Sequence, residues 1–187
     1  MIKIGLDVDN VCLDFNKTFQ RYIGKEVKDL VDEKAWKLEK RWGVSKDIVD
    51  KFFQEFSYSG MDHVYPAAQG LLIDLVYTEG VQVYYITNMS REDYIPNRIR
   101  NLKDLNYPPG LVICSKYKHH YINQLGITYF IDDKLSTVDK VKALCPECEA
   151  FFDPYTSPSY EALASSYTKT LPEFLLHIKN VLSWGPL

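Results

Sequence analysis

Long apolar runs and an excess of basic residues are both missing from this 187-residue sequence. No run approaches the roughly 20 apolar residues that a transmembrane helix needs. Lys and Arg number 22 against 25 Asp and Glu, and a net charge of -3 argues against a polybasic surface for nucleic acids. The opening Met1-Ile2-Lys3-Ile4 leads directly into a strand-like run, without the pattern of a signal peptide. We therefore expect a cytoplasmic protein with no membrane partner and no stable nucleic-acid binding.

Cysteine is scarce, with four residues in the chain: Cys12, Cys114, Cys145 and Cys148. The last two form a single Cys-Pro-Glu-Cys motif, which is a weak signal for a metal or redox site when no second pair lies near it. His119 and His120 are the residues that could complete a zinc site there. Reduced thiols are the commoner state of cysteines in cytosolic proteins, and we favour that interpretation.

Short β-rich runs alternate with helical periods along most of the chain. The runs have little polar alternation, which is typical of strands that are buried on both faces of a parallel sheet. They are KIGLDV (3–8), VQVYYIT (81–87), GLVICS (110–115), ITYFID (127–132) and CEAFFD (148–153). Helical patterns lie between and after them, at 70–79, 90–105, 118–126, 136–144, 157–166 and 171–182. This alternation predicts a doubly wound, Rossmann-like α/β fold with a parallel sheet of about five strands.

One stretch departs from the alternation. No strand-like run occurs between the first strand and Gly70, and the segments 15–24, 32–43 and 45–56 have helical patterns instead. This is too long for a βα connection, in which loops of about 2–6 residues are usual. We predict a small helical cap at 15–65, inserted after the first strand of a core formed by 1–14 and 66–187. Such an insertion would lie over the carboxyl ends of the strands, where ligands bind in these sheets.

Polar residues collect at the ends of the predicted strands. They are Asp7 and Asp9, then Thr87 and Asn88, then Lys116 and Lys118, then Asp132 and Asp133. In a parallel sheet these ends share one edge, so we expect the side chains to converge. Clustered carboxylates repel unless a cation joins them, and Mg²⁺ is a hard cation that takes oxygen ligands. A metal, acids and anion donors together indicate phosphoryl transfer.

These four groups of strand-end residues, in this order, resemble the motifs of the haloacid dehalogenase-like phosphohydrolase superfamily. The resemblance covers nearly the whole chain, from Lys3 to about Asp153. The segment DVDNVCLDF (7–15) is similar to the opening of 5'(3')-deoxyribonucleotidases, and YFIDDKLSTV (129–138) is like their Asp-Asp stretch. A helical lobe between the first two motifs matches their cap. The sequence departs from that pattern at Asn10, where these enzymes usually have Gly, and at Asn88-Met89-Ser90, which follows the strand-end threonine.

The resemblance implies a role for each motif residue. Asp7 would be the nucleophile that forms an aspartyl-phosphate, and Asp9 would protonate the leaving oxygen and later activate water. Mg²⁺ would be held by Asp7, the backbone carbonyl of Asp9 and Asp132, with Asp133 orienting a metal water or the lysine. The residues that would bind the phosphoryl group are Thr87, Asn88 and Lys118. Lys118 is favoured over Lys116 because it lies at the predicted helix start.

Substrate recognition is implied at three further positions. Phe15 matches an aromatic residue that packs on the base in the nucleotidases, and Trp36 is a second match within the predicted cap. Arg91, four residues after Thr87, lies where the family has a basic residue near the phosphate. Each has a structural alternative, since both aromatic residues could be cap core and Arg91 could be an exposed helix residue.

These expectations add up to a magnesium-dependent phosphomonoesterase. We predict a 5'-nucleotidase that hydrolyses (deoxy)ribonucleoside monophosphates through an aspartyl-phosphate, with a homodimer as one expected assembly by analogy. The alternative is a related phosphatase that acts on a sugar phosphate or a nucleic-acid 3'-phosphate. A phosphorylated receiver domain is disfavoured, because its phosphorylated Asp follows the third strand, where this sequence has Cys114-Ser115.

Overall fold

Five parallel strands form one sheet at the centre of the computed structural model, which describes residues 1–32, 35, 37–56, 58–89, 92–156 and 167–184. The strand order is β3-β2-β1-β4-β5, so the first strand lies in the middle. The strands are β1 Lys3–Leu6, β2 Gln82–Thr87, β3 Leu111–Cys114, β4 Tyr129–Asp132 and β5 Glu149–Phe152. The prediction of an α/β fold with a five-stranded parallel sheet is confirmed.

Helices cover both faces of this sheet. The helices of the α/β part are α4 Pro66–Thr78, α5 Ile95–Asp104, α6 Lys118–Leu125, α7 Leu135–Leu144 and α8 Leu171–Trp184. Successive side chains of a strand point to opposite faces, and the core divides accordingly. Ile131 belongs to the larger hydrophobic cluster, with Leu72 of α4 and Phe174 of α8, whereas Phe130 packs with Val138 of α7. The helix predicted at 157–166 lies outside the described residues.

Among the described residues, three α-helices lie between β1 and α4, as the sequence predicts for the segment after the first strand. They are α1 Phe15–Ile23, α2 Leu38–Trp42 and α3 Lys46–Glu55. Aromatic rings join α1 to α3: the ring of Phe52 lies 4.9 Å from that of Phe19 and 4.7 Å from that of Phe56, centroid to centroid. The division into a cap at 15–65 and a core at 1–14 and 66–187 stays a prediction.

Within the described ranges, none of the helices combines the length and apolar character needed to cross a bilayer. The cytoplasmic location and the homodimer that the sequence suggested stay predictions.

Candidate active site

Three buried carboxylates meet at the carboxyl ends of β1 and β4. Asp7 directly follows β1, Asp132 ends β4 and Asp133 comes next along the chain. These strands are neighbours in the sheet, and the backbone N–H of Asp7 donates a hydrogen bond of 2.9 Å to the carbonyl of Ile131. One carboxylate oxygen from each acid lies within 4.8 Å of the others. The pairing of β1 with β4 is therefore what brings these acids together.

Lys118, the first residue of α6, is buried in this cluster. Its Nζ atom lies 2.6 Å from Oδ1 of Asp7 and donates a hydrogen bond of 2.7 Å to Oδ2 of Asp132. Burial works to lower the pKa of Lys118, but the charges of Asp132 and Asp7 outweigh it and raise that pKa above its ordinary value. Lys116 is exposed, and its Nζ lies 5.0 Å from the ring centre of Tyr117. Of the two lysines, Lys118 is the one in contact with the acids.

The cluster holds three carboxyl groups and the single ammonium group of Lys118. Burial raises the pKa of Asp132 to about 6, although the charge of Lys118 opposes this shift. The pKa of Asp133 is raised further above its ordinary value, first by burial and then by the charges of Asp7 and Asp132. Such shifts mean that three ionised acids would repel one another here unless a further positive charge joined them.

One carboxylate oxygen of Asp133 lacks a hydrogen-bond partner among the described residues. Its Oδ2 atom accepts hydrogen bonds from Asn10 Nδ2 at 3.2 Å and from Thr156 Oγ1 at 3.3 Å. Its Oδ1 atom is buried and accepts no hydrogen bond from any residue that the structure describes. Buried polar atoms normally have a partner, and a hard cation such as Mg²⁺ would supply one. The donor set of Asp7, Asp132 and Asp133 therefore fits the ion that the sequence predicts.

Asp9 is held apart from the three clustered acids by different partners. Nη2 of Arg98 donates a hydrogen bond of 2.7 Å to Oδ1 of Asp9. Thr87, which ends β2, donates through Oγ1 to Oδ2 of Asp9 at 3.4 Å. Burial raises the pKa of Asp9, although the charge of Arg98 opposes the shift. The carboxylate of Asp9 therefore contacts Arg98 and Thr87, which are not among the candidate metal ligands.

Asn10 bends the chain between the two acids and α1. Its φ is 62°, in the left-handed region that Gly and Asn adopt most readily. Its Nδ2 atom donates to Asp133, and its Oδ1 atom accepts a hydrogen bond of 2.9 Å from the backbone of Asn16, near the start of α1. The departure from the glycine that the resembled enzymes use is therefore compatible with this backbone, and the side chain gains two hydrogen bonds.

A cavity of about 460 Å³ lies between the acids and the segment 15–65, which carries α1, α2 and α3 and is called the helical insertion below. Asp7, Asp9 and Lys118 line it, together with Phe15 and Asn88. Aromatic and apolar residues of the insertion also line the cavity: Phe53, Tyr58, Leu38 and Val49. The predicted residues Asp132 and Asp133 also border the space, as do Lys116 and Lys134. Thr87 is fully buried, and its hydroxyl contacts Asp9.

Two predicted substrate residues, Trp36 and Arg91, lie outside the described residues. Phe15 lines the cavity and also contacts its neighbours, with its ring centroid 5.8 Å from that of Phe52 and 6.1 Å from that of Phe53. Phe15 is therefore consistent with both interpretations that the sequence left open, because it packs against aromatic residues of the insertion and also borders the cavity.

Arg98 is the site residue that sequence reasoning missed. It is fully buried, although it belongs to an α5 segment, IPNRIRNLKD, with a strongly polar composition. A signal was present: Leu102 and Leu105 lie four and seven residues after Arg98, so the arginine occupies the apolar face of the helix. A charged residue at such a position needs a partner inside the protein, and here that partner is Asp9.

Neither a protein-family model nor a curated protein matches this sequence. Solved structures match over nearly the full chain. A D,D-heptose 1,7-bisphosphate phosphatase from B. bronchiseptica, complexed with magnesium and phosphate, is 9% identical, with coverage of 96% of this chain and 99% of that one and a TM-score of 0.54. A haloacid dehalogenase-like family hydrolase from Xanthomonas campestris is 11% identical, with coverage of 98% and 97% and a TM-score of 0.55.

A third structure, described as a β-phosphoglucomutase from Thermotoga maritima, is 15% identical, with coverage of 97% of this chain and 100% of that one and a TM-score of 0.58. The chain has the fold of haloacid dehalogenase-like hydrolases. At such low identity the likeness concerns the fold, and the chemistry is argued from the site itself.

Proposed function

We propose that this protein is a magnesium-dependent phosphomonoesterase that works through an aspartyl-phosphate on Asp7. The observation that carries the proposal is the position of Asp7, which borders the cavity, contacts Lys118 at 2.6 Å and shares a three-carboxylate cluster with Asp132 and Asp133. A nucleophilic carboxylate, a fixed ammonium group and a metal-binding set are the parts that phosphoryl transfer requires.

Asp7, Asp132 and Asp133 would hold the magnesium ion. When bound, the ion would offset the charge of these carboxylates and of the phosphoryl oxygens that approach them. Lys118 would bind a phosphoryl oxygen while its salt bridge holds Asp7 in place. The backbone N–H of Val8 also donates to Oδ1 of Asp7 at 2.8 Å, so the plane of the nucleophile is fixed before substrate arrives.

The reaction would proceed in two displacements. In the first, an oxygen of Asp7 attacks phosphorus, the bond from phosphorus to the ester oxygen breaks, and Asp9 gives its proton to the leaving alcohol. In the second, Asp9 takes a proton from water as that water attacks phosphorus, and the bond to Asp7 breaks to release phosphate. Asp9 is suited to both steps because burial raises its pKa toward the working range while Arg98 stabilises its ionised form.

The substrate that the cavity supports best is a nucleoside monophosphate. Phe15, Phe53 and Tyr58 line the same cavity as the acids, and their rings could pack against a base while the phosphate contacts Lys118. A volume of about 460 Å³ is within the range usual for small-molecule sites. Preference for deoxyribonucleotides follows from the sequence resemblance alone.

A sugar phosphate is the second candidate. Polar side chains also line the cavity, among them Asn16, Glu39 and Asn88, and these could bind sugar hydroxyls. One structure with this fold is a D,D-heptose 1,7-bisphosphate phosphatase, which shows that the fold accommodates such a substrate.

Phosphate release from a substrate panel tests the proposal. The panel contains deoxy- and ribonucleoside monophosphates and sugar phosphates, each with Mg²⁺ and with a chelator. We expect turnover of deoxynucleotides that requires Mg²⁺ and is lost in Asp7→Asn and Asp9→Asn, whereas Asp50→Asn, on the exposed side of α3, stays active. Turnover of sugar phosphates alone would favour the second candidate. No turnover of any substrate by folded protein would overturn the enzyme proposal.

A further inference from the structure

We infer that Arg98 is a positioning residue that holds the carboxylate of Asp9 at the angle needed to give a proton to the leaving group. This inference rests on the proposed function, in which Asp9 is the general acid. Arg98 borders no part of the cavity itself, and its effect on the reaction would pass through Asp9.

Two contacts from two elements fix the Asp9 carboxylate. Nη2 of Arg98, on α5, lies 2.7 Å from Oδ1, and Oγ1 of Thr87, at the end of β2, lies 3.4 Å from Oδ2. The Asp9 side chain remains 19% exposed, toward the cavity, whereas that of Arg98 is fully buried. With both oxygens engaged, rotation of the carboxylate is restricted, and the proton donor has one orientation relative to Asp7.

The guanidinium group is itself held by the chain that returns from the helical insertion. Its central carbon lies 5.1 Å from the ring centre of Tyr58, and Nη1 lies 3.6 Å from Sδ of Met61. Asn101, one turn along α5, fixes that segment: its Oδ1 accepts from Met61 N at 2.9 Å, and its Nδ2 donates to Met61 O at 3.0 Å. Arg98 therefore has little freedom, as a group that sets the position of another must.

Stability alone is a poor reason for an arginine at this position. Nε of Arg98 is buried and has no hydrogen-bond partner among the residues described, so part of the desolvation of the guanidinium is not offset. Replacement of both members of a buried ion pair by apolar side chains of similar size is often neutral or stabilising. The fold therefore does not need this charged pair for stability, and the charge of Arg98 is best explained by its effect on Asp9.

The leaving group provides a readout that a purely structural role would not change. An alkyl alkoxide is a poor leaving group and needs the proton from Asp9, whereas p-nitrophenolate departs without one. The quantity to compare is kcat/KM, because it reports the steps up to departure of the leaving group. We expect Arg98→Met to lower kcat/KM for an alkyl phosphomonoester by about 10- to 100-fold, within the usual range of general acid catalysis, and to lower that for p-nitrophenyl phosphate far less.

Three further variants make the comparison decisive. Arg100→Met, at an exposed position of the same helix, is the matched control and should change neither value. Arg98→Lys keeps the charge and should retain part of the activity on the alkyl phosphomonoester that Arg98→Met loses. If Arg98→Met does not fold, Arg98→Lys provides the test, because its ratio of alkyl to p-nitrophenyl activity should be lower than that of the wild type. The residual alkyl phosphatase rate of Asp9→Asn, measured at high enzyme concentration, should fall little further when Arg98→Met is added, because the group through which Arg98 acts is already gone.

Equal losses for both leaving groups, or additive losses in the double variant, would overturn the inference and show that Arg98 is structural. Failure of the wild-type protein to hydrolyse any phosphomonoester is a different result. It would refute the proposed function, and the inference about Arg98 with it.

Discussion

Nζ of Lys118 lies 2.6 Å from Oδ1 of Asp7, in a pocket where both side chains are more than nine-tenths buried. The ammonium group also contacts Asp132, so one cation serves two carboxylates that belong to different strands. Removal of one member of such a group leaves charge that is buried and unpaired, which is more damaging than removal of an exposed ion pair. We therefore expect both folding and the proposed chemistry to depend on Lys118.

Lys118→Met is expected to lose phosphate release and to unfold more easily. Methionine fills similar space but cannot neutralise Asp7 and Asp132, and breaking a buried pair in this way costs about 3–5 kcal/mol. The free energy of unfolding in urea at pH 8, with chelator present, measures the loss. Activity should fall by about 100-fold or more, since a fixed cation at the phosphoryl oxygens contributes several kcal/mol to catalysis.

Lys116→Met is the matched control, because Lys116 lies two residues away and is exposed. Its stability should stay within about 0.5 kcal/mol of the wild type, as is usual for surface substitutions. If Lys116→Met lost activity while Lys118→Met kept it, the assignment of the phosphate-binding lysine would have to be reversed.

Magnesium should stabilise the protein through Asp133. At a concentration 100 times its Kd, a ligand that binds only the folded state adds about 2.7 kcal/mol, which corresponds to a rise in Tm of roughly 5–10 °C for a chain of this size. Asp133→Asn should abolish most of that rise. In chelator the same variant should be at least as stable as the wild type, because it removes one buried acid from beside Asp7 and Asp132.

Thermal unfolding with Mg²⁺ and with chelator, together with calorimetric titration of Mg²⁺ into protein without substrate, checks this prediction independently of activity. Asp50→Asn changes an acid on the surface of α3 and should leave the magnesium response intact. An unchanged magnesium response in Asp133→Asn would remove Asp133 from the metal site.

The sequence was sufficient for the sheet and for the acids at its edge because both depend on local patterns. Asp7, Asp132 and Asp133 each follow a run of buried residues, and the parallel arrangement of such runs brings their ends to one edge. Lys118 could be favoured over Lys116 for the same reason, since helix starts lie near that edge. The strands proved one or two residues shorter than the apolar runs.

Arg98 could not be assigned from the same patterns. Its partner Asp9 is distant in the sequence, and the contact depends on how α5 packs against the sheet and on the path of the chain at Tyr58 and Met61. No local signal specifies that packing. A charged residue on the apolar face of a helix indicates that a buried partner exists, but the identity of the partner comes from the tertiary structure.

Asn10 provides a test of the turn between the two acids and α1. Asn10→Gly keeps the left-handed backbone and loses two side-chain hydrogen bonds, at a cost of about 1–3 kcal/mol. Asn10→Ala loses the same bonds and adds the strain of a left-handed conformation, about 1 kcal/mol more. Urea unfolding should therefore rank the wild type above the Gly variant and the Gly variant above the Ala variant.

Asn106 is the matched control because its φ is 57° and it is exposed to solvent. The difference between its Gly and Ala variants should resemble that at Asn10, whereas Asn106→Gly itself should cost little. Equal costs for Asn10→Gly and Asn106→Gly would mean that the bonds from Asn10 to Asp133 and Asn16 add nothing to stability.

Asp153 should make stability depend on pH in a direction unusual for a hydrogen-bonded carboxylate. It accepts hydrogen bonds from Tyr65 Oη at 2.8 Å and from the backbone N–H groups of Tyr155 and Leu171, each at 3.0 Å. Burial nonetheless raises its pKa to about 7, from an ordinary value of 3.8, against the effect of these donors. Between these two values the folded state keeps a proton that the unfolded state releases.

The free energy of unfolding must then fall as pH rises from about 4 to about 7, by up to roughly 1.4 kcal/mol per pH unit, and level off above that range. Asp132, Asp133 and Asp9 also have raised pKa values and act in the same direction. The informative quantity is therefore the difference in the free energy of unfolding between the wild type and Asp153→Asn, both measured in chelator. That difference should decrease with pH across the range, because the variant lacks the titrating group, whereas Asp50→Asn should follow the wild type. A difference that is constant with pH would mean that Asp153 is ionised throughout and that its three hydrogen-bond donors outweigh its burial.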